Sequence, residues 1–405
     1  MLVVLKFGGT SVANVPRILH AAQLVIDKYV RDGNQVAVVT SAMAGVTDQL
    51  NGYLTQMDAL TEEDGVVLAA GEQVTTALMA IALTKLGHVA QSFLGWQVPI
   101  TTSAQARNAH IVQVNAERIK DCLDAGIIPV VAGFQGLTDD GRITTLGRGG
   151  SDTTAVAIAT ALDADFCDIY TDVDGVYTAD PCIVPTARKI YEISYEEMYE
   201  LSSSGAKILQ ARSVELAMRH NVQLRVLSAF VDLPGTSVAN KQIEMGAQME
   251  RLKITGIAHK HNVAKVDIEA MSMDVLLTLL ENAIPFELLA QYGHDGATHI
   301  ALLVEMLYAD KVESLCNELK SAKQISDGVV DRNVAAVSIV GAGIDATAIQ
   351  SIIRICHENN IPVMSLSISN LKISFVTTKP NLELAIFALH TALFPLEEKG
   401  YRVPD

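Results

Sequence analysis

The sequence predicts an α/β protein: a mainly parallel sheet covered by helices, followed by two small α+β modules. Short apolar segments alternate with helical ones over residues 1–232, and this alternation is typical of parallel sheets covered on both faces. A polar stretch without clear periodicity follows. The last part of the chain then repeats a pattern of strands and helices, which is typical of ferredoxin-like modules.

Five apolar segments predict the strands of the first domain, and four segments with helical spacing lie between them. The predicted strands are 2–7, 35–40, 127–132, 166–171 and 222–228, and the predicted helices are 15–31, 71–86, 115–125 and 152–162. The segment GFQGLTDDGRITTLG, residues 133–147, instead predicts a hairpin. Its Asp-Asp-Gly sequence at residues 139–141 is a turn between two short strands.

The predicted domain bounds follow from these patterns. Residues 1–232 form the α/β domain, 233–252 a linker, 253–328 the first module, 329–395 the second module and 396–405 a tail. The modules are indicated by two related segments that begin at Glu281 and Glu358 and give strand, turn, strand and helix. A large domain followed by two small modules suggests an enzyme with a regulatory part.

Composition narrows the classes of partner. The 405 residues are 49% apolar, which is enough for two or three full-sized cores. The net charge of −16, without a basic run, argues against nucleic acid or an anionic membrane. Five scattered cysteines without C-x-x-C spacing and no recognisable signal peptide predict a cytoplasmic protein without a zinc site.

A lysine and two glycines follow the first strand in LKFGGTSV, residues 5–12. Lys6 at the carboxyl end of a strand can direct its ammonium at phosphate oxygens. Gly8 and Gly9 allow backbone N–H groups to approach the same oxygens. This octet alone supports a phosphate cradle and an ordinary glycine turn about equally.

The segment TTLGRGGSDTTAVAIA, residues 144–159, is more specific. Arg148 lies between glycines, and Ser151 and Asp152 are predicted to cap an apolar helix. Helix N-termini bind anions, and a guanidinium matches a carboxylate or phosphate. A simple N-capped helix explains the serine or the aspartate but not the arginine between glycines, so the pattern favours a function.

Three further segments are less specific. YTDVDGVYTADP, residues 170–181, resembles part of a calcium loop, but the third acidic position is a glycine and no bidentate glutamate follows at the right distance. It fits a nucleotide-binding loop at a strand's carboxyl end better. Lys207 can add a second positive charge, although alone it is better explained as a solvated helix lysine. Ser41, Thr47 and Glu72 lie at predicted strand ends or helix starts, where each taken singly is best explained as a cap.

A formal dinucleotide-binding fingerprint occurs late in the chain, at Gly341, Gly343 and Ala346 in VSIVGAGIDATAIQSI. The next predicted strand, 362–367, supplies no acidic residue for a ribose, so the fingerprint is a poor predictor of nicotinamide binding. The ten histidines form no helical H-x-x-x-H pair and indicate neither a metal site nor a catalytic triad.

In order and spacing, the motifs resemble those of the aspartate kinase family. The motifs are KFGGTS, SAMAGVTD, GEQV, TTLGRGGSDTTA, YTDVDGVYTADP, SSSGAKIL and LPGT. The resemblance covers nearly the whole chain. It implies the three-layer amino-acid-kinase fold with two C-terminal ACT modules. It also implies phosphorylation of the L-aspartate side-chain carboxylate by ATP with Mg²⁺, the first step toward lysine, threonine, methionine and diaminopimelate.

The resemblance also implies residue roles. The catalytic residues would be Lys6, Asp152 and Lys207, with Asp152 organising the lysines. The aspartate-binding residues would be Thr47, Glu72, Arg148, Gly149, Gly150 and Ser151. The ATP-binding residues would be Lys6, Phe7, Gly8, Gly9, Ser41, Thr171, Asp172, Tyr177, Asp180 and Lys207. No protein ligand to a metal is implied. The implied assembly is a homodimer or higher homo-oligomer formed through the ACT modules.

The ACT modules depart from the pattern of family members that lysine or threonine regulates. A Pro-Gly loop is missing at Ala270–Met273 and again in GAGIDATAIQSI, and a common Ser-Glu pair is Ser369-Asn370 here. We therefore expect feedback by lysine or threonine to be weakened, lost or re-targeted. Met249 lies where some family members begin a separately translated regulatory subunit.

Two other interpretations stay open at this point. The chain can be another amino-acid kinase that acts on a different substrate, or a non-catalytic amino-acid-sensing protein built on an inactive kinase. The combination of GRGGSDTT, GEQV and twin ACT modules argues against the first. The presence of Lys6, Arg148, Asp152 and Lys207 argues against the second.

Overall fold

The computed structural model describes residues 1–57, 61–240, 253–294 and 297–395. These residues fall into two compact units. The first unit comprises Met1–Val176, Lys189–Ser203 and the described residues from Lys207 to Asn240. The second unit comprises Tyr177–Arg188, Ser204–Ala206 and the described residues from Lys253 onward.

The strands and helices are numbered in chain order. The strands are β1 (Leu2–Phe7), β2 (Gln35–Thr40), β3 (Ala90–Phe93), β4 (Ile100–Thr102), β5 (Ile111–Val114), β6 (Ile128–Ala132), β7 (Gln135–Leu137), β8 (Ile143–Thr145), β9 (Phe166–Thr171), β10 (Val176–Tyr177), β11 (Lys189–Ile190), β12 (Glu192–Ile193), β13 (Leu224–Ser228), β14 (Thr236–Val238), β15 (Lys253–Ala270), β16 (Phe286–His294), β17 (Ala297–Glu305), β18 (Ile325–Ala342), β19 (Ser365–Ile368) and β20 (Lys372–Thr378). The helices are α1 (Val15–Val25), α2 (Val46–Met57), α3 (Asp64–Lys85), α4 (Glu117–Asp124), α5 (Gly150–Leu162), α6 (Tyr195–Ser203), α7 (Ala211–His220), α8 (Asp274–Glu281), α9 (Ala309–Ser321), α10 (Ala346–Glu358) and α11 (Leu382–Leu393).

The first unit is built on an eight-stranded sheet with the order β12-β14-β13-β9-β1-β2-β6-β3. Strand β1 pairs in parallel with β2 and β9, and the pairs β2–β6, β3–β6 and β9–β13 are parallel as well. This confirms the predicted, mainly parallel sheet. The carboxyl ends of parallel strands lie at one edge, so the residues after β1, β2, β6 and β9 come together there.

Alternation along β1 divides its side chains between two covering layers. Leu5 joins the core that contains Ile18 of α1 and Met79 of α3. Lys6 points to the opposite face, where it contacts Asp152 of α5. The sheet is therefore the middle of three layers.

A polar network ties the sheet to the turn that follows α1. Residues Ile26–Val30 form a π-helical turn, whose Tyr29 donates a hydrogen bond to Asp168 of β9. The Asp168 carboxylate is fully buried and accepts two hydrogen bonds, of 2.6 and 2.7 Å, from Arg225 of β13. This satisfies the buried charge and holds β9, β13 and the turn together.

Helix α3 begins earlier than the sequence pattern predicts. It starts at Asp64 rather than at residue 71, and its Gly65 lies so close to β8 that an added Cβ would be 2.2 Å from the Ile143 carbonyl oxygen. Among the described residues, α3 alone is long and apolar enough to cross a membrane. Of its most apolar 18-residue window, 56% is buried inside the protein, as expected of a core helix.

The predicted hairpin is confirmed. Strands β7 and β8 pair antiparallel, with Gly136 opposite Thr144. They belong to a small four-stranded sheet with the order β5-β4-β7-β8. The segment that carries Arg148 follows β8 directly, so this small sheet leads the chain into the site.

The second unit contains two modules that share one six-stranded sheet, with the order β16-β17-β15-β18-β20-β19. Strands β15 and β18 each have 18 residues and pair antiparallel over nearly their full length. The second half of β15 and the first half of β18 join β16, β17, α8 and α9 around one core. The other halves join β20, α10 and α11 around another core, and β19 pairs with β20 at the edge of the sheet.

The first module is therefore inserted into the second in this arrangement. The first half of β15 supplies an edge strand to the module formed by the last part of the chain, and β18 crosses the predicted boundary between residues 328 and 329. A strand from a distant part of the chain can complete a sheet as well as a strand that is near in sequence. Pairing requires only that its backbone N–H and C=O groups meet those of the open edge.

The predicted linker at 233–252 needs a correction at its start. Residues Thr236–Val238 form β14, which pairs antiparallel with β13, so this part of the linker prediction was wrong. The rest of the linker from residue 241, which includes Met249, and the predicted tail at 396–405 lie outside the described residues. The domain bounds otherwise stay predictions.

Candidate active site

Lys6 and Asp152 form a buried ion pair at the carboxyl edge of the large sheet. Lys6 Nζ lies 2.5 Å from Asp152 Oδ1, and each side chain is only 9% exposed. The two groups form an ion pair, but Asp152 Oδ1 has no partner with the geometry of a hydrogen bond. A lysine held here by an aspartate presents its positive charge at a fixed point beside the loops that follow β1 and β2.

The glycines after β1 form a tight turn. The Gly8 N–H donates to the Tyr170 carbonyl at 3.0 Å, so the expectation that this N–H faces a phosphate was wrong for this conformation. A Cβ on Gly9 would lie 2.9 Å from the Ala42 carbonyl oxygen. The glycines therefore bring the backbone close to Lys6 and to the loop after β2, where a side chain would not fit.

Phe7 contributes to the core and presents no side chain to the site. It is fully buried, and its ring stacks on Tyr170 with 5.0 Å between centroids. Its carbonyl accepts the Ser41 N–H at 3.1 Å. The assignment of Phe7 to the ATP site can therefore concern only its backbone, and it stays a prediction.

Helix α5 points its N-terminus at the same edge. Gly149, with φ of 68°, is the N-cap, so the prediction that Ser151 or Asp152 caps the helix was wrong. Both lie in the first turn instead. The Ser151 hydroxyl is 2.7 Å from that of Ser41. The left-handed backbone at Gly149 lets the helix start at Gly150, two residues earlier than predicted, so both side chains face the site from its first turn.

Arg148 is exposed in the turn between β8 and α5. Gly147 and Gly149 on either side have φ of 76° and 68°. In the part of the chain that the structure describes, its guanidinium makes neither a hydrogen bond nor an ion pair. An unpaired guanidinium beside a helix N-terminus is suited to an anionic ligand.

Glu72 lies in the middle of α3 and not at a helix start, so its interpretation as a cap was wrong. It is 3% exposed. Its Oε1 accepts the Ala42 N–H at 3.0 Å, whereas Oε2 has no hydrogen-bond partner. Burial raises the pKa of Glu72 to about 7, although the Ala42 bond opposes this rise. A buried carboxylate oxygen without a partner is suited to bind a cationic group.

The remaining predicted residues are less tightly held. Thr47 is half-buried in α2. Thr171 ends β9 and donates to the Asp172 carboxylate at 3.1 Å. Lys207 is exposed in the loop between α6 and α7, not in a helix as its pattern suggested. Its charge is thus carried by a segment without regular structure.

Tyr177 and Asp180 belong to the segment Tyr177–Arg188 of the second unit. The Asp180 carboxylate accepts the Cys182 N–H at 2.9 Å. Their assignment to the nucleotide site stays a prediction.

Sequence reasoning missed two arginines, one that binds the Arg148 turn and one in the neighbouring loop between β4 and β5. Arg212 of α7 donates to the carbonyls of Leu146 and Ala109 at 3.0 and 2.7 Å. Arg107 forms an ion pair of 2.9 Å with Asp64, whose side chain is 3% exposed. These partners are far apart in the chain and belong to no motif, so no sequence pattern could have found them.

Comparison with known proteins agrees with the motifs. The model of the amino acid kinase family matches residues 1–228, more than half of the chain. An aspartate kinase from Pseudomonas putida is 40% identical over 402 residues, covering 96% of this chain and 97% of the relative. An aspartokinase from Pseudomonas aeruginosa is 41% identical over 408 residues, with 96% and 97% covered. The chain belongs to the aspartate kinase family.

The fold agrees with that of a solved aspartate kinase. Escherichia coli aspartokinase III, in complex with aspartate and ADP, matches with a TM-score of 0.80 over 97% of this chain and 100% of that chain. The sequence identity is 24%, so this likeness concerns the fold. It confirms the predicted class of fold, an amino-acid-kinase fold followed by two small α+β modules.

Proposed function

We propose that this aspartate kinase transfers the terminal phosphoryl group of ATP to the side-chain carboxylate of L-aspartate and releases 4-phospho-L-aspartate and ADP. The observation that carries the proposal is the buried Lys6–Asp152 pair at the carboxyl edge of the sheet. The family membership supports it. The same edge holds a buried carboxylate and an exposed guanidinium, the two groups that an amino acid substrate requires.

The chemistry needs positive charge more than it needs a base. The substrate carboxylate is ionised at neutral pH and is already a nucleophile. The main obstacle is repulsion between this carboxylate and the ATP phosphates, so positioning and electrostatic stabilisation dominate. Lys6 would stabilise the transferring phosphoryl group, Asp152 would hold Lys6 in place, and Lys207 would approach the phosphates.

Glu72 and Arg148 would recognise the two opposite charges of the amino acid substrate. Oε2 of Glu72, which has no hydrogen-bond partner, would receive the substrate ammonium. Arg148 would hold a substrate carboxylate. The backbone of Gly149 and Gly150, with the hydroxyls of Thr47 and Ser151, would complete the pocket. This assignment accounts for a buried, unsatisfied oxygen that is otherwise costly.

The nucleotide would lie along the carboxyl ends of β1, β2 and β9. The proposed contacts are Lys6, the backbone of Phe7 and Gly9, Ser41, Thr171, Asp172, Tyr177, Asp180 and Lys207. Gly8, whose N–H is bonded to the Tyr170 carbonyl, would shape the turn beside them. The chain as described contains no group of three or more His, Cys, Asp or Glu side chains that could hold a metal ion. Mg²⁺ usually binds substrate phosphates and water with few protein ligands, so the ATP phosphates would supply several of its ligands and Mg²⁺ would neutralise part of their charge.

A hydroxamate assay tests this function. The acyl phosphate product reacts with hydroxylamine, so MgATP and L-aspartate should give a coloured aspartyl hydroxamate. Glutamate, N-acetylglutamate and uridine monophosphate, compared by ADP release, would identify another amino-acid kinase. Absence of both hydroxamate and ADP with every substrate would support the non-catalytic alternative.

Regulation by an amino acid at the second unit is also proposed, in a weakened or altered form. In the structure the turn before α10 carries Asp345, whose side chain accepts the Ala348 N–H at 2.9 Å. The protein's own carboxylate thus occupies a helix N-terminus that would otherwise suit an effector carboxylate. Asp345 also lies within the fingerprint at Gly341, Gly343 and Ala346. Its carboxylate occupies the helix N-terminus that a dinucleotide phosphate would need, which argues further against dinucleotide binding.

We also propose a homodimer or higher homo-oligomer formed through the modules, and a cytoplasmic location. Large apolar side chains are exposed in the second unit, among them Met271, Leu277, Leu280 and Tyr292. Such groups are typical of a contact surface where they form a contiguous patch. Light scattering after size-exclusion chromatography gives the mass of the assembly, and a monomer at micromolar concentration would contradict the proposal. The product would supply synthesis of lysine, threonine, methionine and diaminopimelate.

A further inference from the structure

The turn that presents Arg148 has no regular secondary structure of its own. Residues 146–149 lie between β8 and α5, and two of them are glycines with positive φ. An exposed arginine side chain is flexible. Its affinity for a carboxylate therefore depends on how firmly its backbone is held.

Arg212 holds this turn from the side of α7. One guanidinium nitrogen donates to the Leu146 carbonyl at 3.0 Å, and the other terminal nitrogen donates to the Ala109 carbonyl at 2.7 Å. The Leu146 carbonyl belongs to the peptide group that leads into Gly147, next to Arg148. A single planar side chain thus connects the Arg148 turn with the loop between β4 and β5.

Neighbouring contacts support the same two segments. The Ala109 N–H donates to the Thr145 carbonyl at 2.9 Å, and a Cβ on Gly147 would lie 1.8 Å from the Asn108 side-chain oxygen. On the other side of Arg148, a Cβ on Gly149 would lie 1.7 Å from Cγ of Gln210. The backbone is therefore held both before and after Arg148, with the start of α7 contributing on both sides.

The contacts of Arg212 indicate that it supports the backbone of the turn rather than pairing with a charged group. Among the described residues it forms no ion pair, and its donors go to backbone carbonyls. Burial lowers the pKa of Arg212, yet an arginine stays charged in proteins. A lysine presents only one compact ammonium on a flexible stem, whereas the fork of an arginine can reach two carbonyls at once.

We propose that Arg212 is a positioning residue that holds the 146–149 turn so that Arg148 meets the substrate carboxylate. The inference rests on the proposed aspartate-binding role of Arg148. Arg212 acts through Arg148 and through the backbone, and it is not itself a contact of the substrate.

The test compares Arg212→Ala, Arg212→Lys and Arg148→Ala, with Arg219→Ala as the matched control. Arg219 is exposed on the same helix and pairs with Glu215 at 2.5 Å. Loss of two hydrogen bonds from a charged donor should raise the KM for aspartate about tenfold or more in Arg212→Ala, with the KM for ATP within about twofold. Arg212→Lys should lie between Arg212→Ala and the wild type, and the control should behave as the wild type.

The double variant Arg148→Ala/Arg212→Ala decides whether Arg212 acts through Arg148. If it does, Arg212→Ala changes kcat/KM for aspartate by less than about twofold once Arg148 is gone. Independent effects that multiply would overturn the inference, as would an unchanged aspartate KM in folded Arg212→Ala. If Arg212→Ala does not fold, as judged by circular dichroism, the same cycle with Arg212→Lys decides the question by the same criteria.

The result for Arg148→Ala distinguishes a failure of the proposed aspartate-binding role of Arg148 from a failure of the positioning role of Arg212. If Arg148→Ala leaves the aspartate KM unchanged, the proposed role of Arg148 is wrong, and with it the positioning role. If Arg148→Ala raises the KM but Arg212→Ala and Arg212→Lys do not, only the positioning inference is wrong.

Discussion

Glu72 should make the use of aspartate depend on pH near neutrality. Burial raises the pKa of Glu72 to about 7, so the carboxyl is largely protonated below that pH and ionised above it. Only the ionised form can pair with the substrate ammonium. For a pKa of about 7, the ionised fraction rises from roughly one tenth at pH 6 to roughly nine tenths at pH 8. The kcat/KM for aspartate should therefore rise about tenfold, since this parameter reports ionisations of the free enzyme.

The assay is ADP release measured by chromatography between pH 6 and pH 8, at constant ionic strength and saturating MgATP. Glu72→Gln is the informative variant. It keeps the size of the side chain and an oxygen that can accept the Ala42 N–H, but it cannot ionise. We expect a low kcat/KM for aspartate at every pH and a profile without the rise. The side-chain carboxyl and the ammonium of aspartate do not change charge substantially in this window.

Two results would refute this reasoning. One is a wild-type profile that is flat between pH 6 and pH 8. The other is a Glu72→Gln variant that keeps the tenfold rise, since another group would then be responsible for it.

Four further predictions follow from the same structure. Lys6→Ala should lower kcat by a factor on the order of 10² to 10³, because it removes positive charge from the transition state; an unchanged rate of ADP release would contradict the mechanism. Gly149→Ala should cost more unfolding free energy than Gly141→Ala, since both have positive φ but only Gly149 lies against a neighbouring side chain. Gly141→Ala should cost roughly 1 kcal/mol in thermal unfolding. Asp168→Ala should lower stability by about 3 kcal/mol in urea, because it leaves Arg225 without its carboxylate partner, while the KM values change little; a stability equal to the wild type would count against the network. Lysine and threonine, singly and together at sub-millimolar concentration, should inhibit weakly or not at all, and strong cooperative inhibition would show the expectation of altered feedback to be wrong.

The strands around the site were predictable because their information is local. An apolar segment such as Val36–Val39 has few alternatives in a chain that alternates strands with helices, and its glycine-rich or polar continuation indicates where it ends. The motif around Arg148 was equally visible, because a charged residue between glycines is hard to explain as structure. The start of α3 was not predictable. Its first turn is held by the packing of Gly65 against a strand far along the chain.

The pairing of strands in the two modules could not be predicted from the local sequence either. Each half of β15 has an apolar pattern that fits either module, and nothing in the local sequence indicates which partner it takes. Pairing with both halves of β18 depends on the edges that the other strands leave open, and these are a property of the assembled sheet.

By itself, the sequence determined the class of fold, the family and most of the residues at the carboxyl edge of the sheet, because motifs and periodicity are properties of short segments. Only the tertiary structure decided the state of those residues. It placed Glu72 inside a helix with an unsatisfied oxygen, paired Lys6 with Asp152, and held the Arg148 turn with Arg212. These partners are separated by many residues in the chain, and their charges and pKa values depend on burial, which only the folded chain creates.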